Sequence, residues 1–194
     1  MIRHLLLMLI LSIPVLQAQA QSRQKVEVGI TGAIASASEI FHGAGPLTLS
    51  HFQGRPDPSS HHGAMSYCGI RMSYKYRVRG GIPQVSVSIC PYLDTELSWF
   101  RPTVAEKELL KHEQGHFDIA ARLAEELAVA IRSTRFIPGR VEHQLLDLHD
   151  RYIEKLRKMQ RLYDSQTRHG LEHSRQEYWN QLLLRPRLRI EGSI

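Results

Sequence analysis

His112-Glu113-Gln114-Gly115-His116 is an H-E-x-x-H run. On an α-helix, with about 3.6 residues per turn, positions four apart share a face, so the two imidazoles can hold one metal ion between them. Zinc suits this pattern, one ion per chain, and the carboxylate between the ligands can take a proton from a metal-activated water. The chemistry implied is hydrolysis with Glu113 as general base. The chain carries 11 histidines among 194 residues, so the run needs support from its surroundings. The plain alternative is two histidines beside the core with no metal.

The surroundings predict a helix over 103–133. Thr103 and Glu106 form a T-x-x-E capping box after Pro102. Leu109, Leu110, Phe117, Ala120, Leu123, Leu127 and Ile131 recur at three- and four-residue spacing. His112 and His116 share the stripe of Leu109 and Ala120, which turns both rings inward.

A catalytic zinc takes a third protein ligand and keeps one position open. After a break at Phe136-Ile137-Pro138-Gly139, a second helix is expected from near Val141 to near Thr167, with Leu145, Leu148, Tyr152, Leu156, Met159 and Tyr163 as its apolar face. So short a break makes the two helices antiparallel neighbours. Counting back along the second helix from the break brings its C-terminal end to the motif. Tyr163, Asp164 and His169 lie there, whereas His143 and His149 fall at the far end as surface histidines. His169, before Gly170, is the chosen third ligand. Asp164 is the runner-up, as ligand or as the group that orients one. Tyr163 is expected to donate to the developing oxyanion. His173 and the His61-His62 pair are the remaining candidates.

The N-terminus reads as an export signal over residues 1–20. Arg3 and His4 precede an apolar run from Leu5 to Leu16, and Ala18-Gln19-Ala20 is an A-x-A cleavage site. The run is short for a membrane span, and an uncleaved anchor is the alternative. A periplasmic or secreted protein is expected, with residues 21–194 as a single domain and 185–194 as a basic frayed tail. Removing the signal takes only Arg3 from the formal charge of +6. The excess gathers late, at Arg151, Lys155, Arg157, Lys158, Arg161, Arg168 and Arg175, and reads as a solvated helix face. No nucleic-acid motif accompanies it, so no nucleic-acid partner is expected.

Cys68 and Cys90 in an oxidising compartment read as a disulfide. Tyr67–Arg79 and Gln84–Cys90 are strand-like, the second alternating Val85, Val87 and Ile89 with Ser86 and Ser88. A three-residue loop at Val78-Arg79-Gly80 would set Cys68 opposite Cys90; a two-residue turn at Gly80-Gly81 would set Cys90 opposite Arg71. Lys25–Ile30 is a further candidate strand, and a third helix is expected over 171–184 with Tyr178, Leu182 and Leu183. The fold class is α+β: a small antiparallel sheet, then two long antiparallel helices and a shorter one.

Several segments in order resemble a bacterial family of predicted secreted zinc-dependent proteases, otherwise classed as a domain of unknown function. They are Phe52-Gln53-Gly54-Arg55-Pro56, the hairpin, Ser98-Trp99, Leu110 to Ile119 around the motif, and Tyr163-Asp164-x-x-Thr167-x-His169-Gly170, together covering about 45–180. The chain departs from the family where an aromatic is expected before Phe52, for Leu49-Ser50-His51 stand there. The resemblance implies a zincin-like metallopeptidase and supplies no substrate. The expected function is hydrolysis of peptide or protein substrates in the cell envelope, with Zn²⁺ on His112, His116 and His169, and with substrate extended along the Gln84–Cys90 strand. A zinc-dependent amidase on envelope peptides and a non-catalytic envelope protein with a structural zinc are the rivals. The sequence leaves the oligomeric state open.

Overall fold

The computed structural model describes residues 24–32, 38–102 and 106–184. The export signal, Thr103 of the capping box and the basic tail lie outside them. Four strands come first: β1 (Lys25–Ile30), β2 (Glu39–Phe41), β3 (Ala64–Arg79) and β4 (Ile82–Phe100). Three helices follow: α1 (Glu106–Ser133), α2 (Val141–Thr167) and α3 (His173–Leu184). The architecture is α+β.

The hairpin is longer than its alternation suggests, because β4 runs on through Pro91 to Phe100. Pro91 is tolerated for a positional reason. β1 pairs with β4 only as far as Ile89 and β2 begins at Tyr92, so Pro91 falls in the gap where no N–H is called for. Its carbonyl accepts the His42 N–H at 3.1 Å.

The sheet is mixed where an antiparallel one was expected. β2 and β3 run antiparallel to β4, but β1 is parallel to it, Lys25 beside Gln84 through Ile30 beside Ile89. The long excursion through β2 and β3 gives the chain room for that crossover. The same pairing closes the edge on which an extended substrate was expected. Gln84–Cys90 is flanked by β1 on one side and β3 on the other.

The hairpin turn decides the cysteines. Gly80 and Gly81 both have positive φ, 54° and 75°, and Arg79 pairs with Ile82, so the turn has two residues. Cys90 then sits opposite Arg71, and Cys68 opposite Leu93. Side chains alternate along a strand, so a three-residue offset puts the two sulfurs on opposite faces of the sheet. The expected Cys68–Cys90 disulfide does not form; both are free thiols.

One face of the sheet packs on the helices. Ile70, Val85, Val87 and Ile89 meet Ile119, Leu123, Leu127 and Ile131 of α1 and Leu145, Leu148, Leu156 and Met159 of α2. Both long helices therefore bury the stripes their periodicity announced. α3 does not: it buries Gln176 and Trp179, while Tyr178 is exposed. Of the histidines expected at the far end, His143 lies in an exposed pair with Asp147, whereas His149 reaches the Ile70 carbonyl at 2.9 Å. No helix among the described residues is long and apolar enough to cross a membrane.

Two outcomes follow. Denatured, unreduced protein is expected to titrate with two thiols per chain, and a value near zero would restore the disulfide. Leu127→Ala, at a fully buried position, is expected to lower stability by about 2–5 kcal/mol, read from urea unfolding.

Candidate metal centre

Helix α1 carries His112 and His116 on its buried side, with 1 % and 8 % of their surfaces exposed. Their rings lie edge to face, centroids 4.9 Å apart. The two Nε2 atoms converge on one atom, Asp164 Oδ1, at 3.1 and 3.0 Å. His169 Nδ1 reaches the same oxygen at 3.3 Å. The antiparallel return of α2 thus brings together the four residues that the sequence nominated. Donor atoms of His112, Asp164 and His169 lie within 4.8 Å of one another, a spacing a metal ion can bridge. His173 is not in this cluster.

Charges at this point are coupled. Burial disfavours an ionised Asp164, but hydrogen bonds from His112 and His116 outweigh it and hold the carboxyl well below the usual carboxylate range. Burial likewise opposes a charge on His116, and Asp164 with Glu113 overcomes it, so that imidazole titrates above its ordinary value. His169 goes the other way, lowered by burial despite Asp164, with the neighbouring imidazoles adding to the shift.

Backbone geometry aims His169. Arg168, His169 and Gly170 take positive φ in succession, 49°, 55° and 83°. Two consecutive non-glycine residues in this region are strained and persist only where their surroundings hold them. Buried Thr167 does part of that. Its hydroxyl donates to the Tyr163 carbonyl at 2.7 Å, and Glu172 N–H donates to its carbonyl at 2.8 Å. Gly170 suits glycine on two counts: its φ, and a Cβ that would crowd the His112 Cβ at 3.0 Å.

Tyr163 does not face solvent. It is fully buried, stacked on the His112 ring at 4.6 Å between centroids, and its hydroxyl fills the space beneath Gly115. A Cβ at Gly115 would meet that oxygen at 2.2 Å. The hydroxyl donates to the His112 carbonyl at 3.0 Å and accepts from Gln176 Nε2 at 2.6 Å. Burial raises its pKa. With both partners taken, it cannot also serve a developing oxyanion, and the expected catalytic role of Tyr163 is replaced by a positioning one.

Gln176 was not foreseen. Its Nε2 donates to Tyr163 and to Asn180 Oδ1, at 2.6 and 2.9 Å, which orients the amide and turns Oε1 toward His112 Nδ1 at 3.1 Å. That acceptor keeps a proton on Nδ1 and so frees the Nε2 lone pair for a metal. Here the donor set fits a zinc ion: imidazole nitrogens and a carboxylate, one ring oriented from behind. Gln176 lies 64 residues from His112 on a short helix without a clear stripe, so no spacing could have flagged it.

Glu113 is buried on the sheet side. Ser66 donates a short hydrogen bond to Glu113 Oε2. Ser66 sits where the β3–β4 register breaks, between Met65 paired with Trp99 and Tyr67 paired with Asp94. The surplus residues 95–98 of β4 make a bulge, on which the Phe52–Pro56 loop rests. Gly54 N–H donates to Ser98 O at 2.8 Å, and a Cβ on Gly54 would stand 2.5 Å from Glu96 O. The glycine is required by this close backbone approach. Leu49-Ser50-His51, at the point of departure from the resemblance, forms a short 3-10 turn that leads into that loop.

Residues 52–170 match a bacterial family described as proteins of unknown function, DUF922. The chain belongs to that family. No curated protein and no solved structure matches it. The family's span opens at Phe52, on the loop that braces the bulge, and closes at Gly170, against His112.

Gln176→Ala is expected to lower metal affinity about 10- to 100-fold, the usual effect of removing a group that orients a ligand. Zinc competition with a chromophoric chelator would measure it, and an unchanged affinity would remove the residue from the metal's support.

Proposed function

We propose that the protein is a zinc-dependent peptidase that works outside the cytoplasm. The observation that carries the reading is the convergence of His112 Nε2, His116 Nε2 and His169 Nδ1 on Asp164 Oδ1, with the Glu113 carboxylate held by Ser66 and near enough to act on the charge of His116. His112, His116 and His169 would hold the ion, with Asp164 either joining them or orienting them. When bound, zinc polarises a substrate carbonyl and brings the pKa of a water toward about 7.

The chain's own groups do the rest. Ser66 engages Glu113 Oε2, which leaves Oε1 to accept the proton of the attacking water and pass it to the leaving amine. Gln176 and Tyr163 hold the His112 ring still. Among the described strands β3 pairs only with β4, so its outer edge can accept an extended peptide beside Ser66. This replaces the Gln84–Cys90 edge, which β1 closes. The leader-like residues 1–20 support export, and an envelope peptide or protein is the substrate class that follows. Amide bonds of cell-wall peptides call for the same chemistry.

One observation favours a second reading. Three histidine nitrogens in contact with Asp164 Oδ1 offer four protein donors in all, and four protein ligands characterise structural zinc.

Mutagenesis with metal analysis separates the two. Purified protein is expected to hold about one zinc per chain, lost in His112→Ala and in His116→Ala. Glu113→Gln should keep the zinc and lower turnover of a peptide library by about 10²–10⁴. Equal turnover in the zinc-loaded Glu113→Gln variant would end the peptidase reading; zinc without turnover in the parent would favour the structural site. Comparing His169→Ala with Asp164→Ala assigns the third ligand to whichever loses the metal.

A further inference from the structure

We propose that His62 is a catalytic residue of this site, donating a hydrogen bond from its imidazole to the carbonyl oxygen of the bound peptide as negative charge develops there. The inference rests on the peptidase reading and deepens it.

The observations begin with what the site lacks. The Tyr163 hydroxyl is committed beneath Gly115 and cannot reach a substrate. A donor must then come from the solvent side, where His169 is half exposed. The His62 ring lies there, its centroid 4.3 Å from that of His169. It stands outside the donor cluster of His112, Asp164 and His169 and makes no contact with Asp164 Oδ1, the oxygen on which His112, His116 and His169 converge. Its ring makes no hydrogen bond among the described residues, which leaves an N–H free for a ligand.

The backbone around His62 is held more firmly than an exposed loop requires. Arg101 stacks over Trp99 at 5.2 Å. From there its guanidinium donates to the carbonyls of Asp57, Ser60 and His62, the last at 3.0 Å. Arg101 N–H donates to Gly63 O at 2.7 Å, and His62 N–H donates to Ser60 Oγ at 3.1 Å. Gly63 in turn packs against α1, where a Cβ would meet Leu109 Cδ2 at 2.8 Å. A charged side chain is thus spent on fixing the main chain on either side of one exposed imidazole. Donors that act on a transition state must be held in place before the reaction, because reorganisation would cancel their benefit.

The test uses full-length mature protein loaded with zinc and a phosphinic peptide, whose tetrahedral phosphorus oxygens imitate the developing oxyanion. In His62→Ala, zinc content should be unchanged and kcat should fall about 10²-fold with little change in KM. Calorimetry should show phosphinate affinity falling by a similar factor. His62→Gln, which keeps an N–H donor, should recover part of both. Parental phosphinate affinity in His62→Ala would overturn the proposal and leave the peptidase reading intact. Loss of zinc in that variant would also overturn it, by making His62 a ligand. A zinc-loaded parent that neither cleaves peptides nor binds the phosphinate would overturn both.

Discussion

Everything at the metal centre depends on how closely α2 approaches α1 at Gly115. No Cβ stands there, so the Tyr163 hydroxyl takes the space and bonds the His112 carbonyl one turn back. A glycine inside a helix costs about 1 kcal/mol. Here that cost admits an aromatic ring which stacks on His112 and lies edge-on to His116. With Tyr163 fixed, Asp164 must fall between the two imidazoles, and the next turn must end where His169 can join them. The candidate metal-binding set is a consequence of one close helix contact.

Two layers contribute different things. The helices supply the donors and the network behind them: Gln176 to Tyr163, Tyr163 to the His112 carbonyl, and Gln176 again to the His112 ring. Each of these buried polar groups has a partner, and such closed networks are rigid because breaking one bond strands the others without water. The sheet supplies the hydroxyl on Glu113 and the loop that carries His62. Exposed ion pairs such as Lys25–Glu27, with side chains 71 % and 61 % accessible, add little to stability and position nothing at the site.

The sequence was legible where the signal is local. Period-3.6 stripes gave α1 and α2, and α2 ends at Thr167 as its pattern implied. Helical counting across a short break brought Tyr163, Asp164 and His169 to the motif, because rise per residue is the same in both helices. What failed was non-local. One residue of loop length separates a hairpin that pairs Cys68 with Cys90 from one that pairs Cys90 with Arg71, and both glycines accept either turn. Apolar position could place Tyr163 on the inner face, but it could not say whether the hydroxyl points to substrate or to a neighbouring helix. The parallel partner of β4 comes from residues 25–30, far away in sequence, so the strand read as an edge proved to be enclosed. Gln176 and Ser66 carry no pattern, since a single polar contact leaves no period.

Burial then gives the site a direction. His112 and His116 are sealed by α2 and α3, whereas His169 is half exposed and Asp164 about a quarter exposed. Among the described residues the cluster opens on the side of the Arg168–Gly170 turn, where His62 stands. Glu113 lies against the Ser66 bulge. A peptide lying along the outer edge of β3 would pass Ser66, which holds Glu113, and the loop that carries His62. Asymmetry of this kind has little use in a purely structural metal site, which is commonly closed on every side. One open side is what the proposed hydrolytic reading would use, with the Glu113 carboxylate and the His62 imidazole as the groups to act on a bound amide.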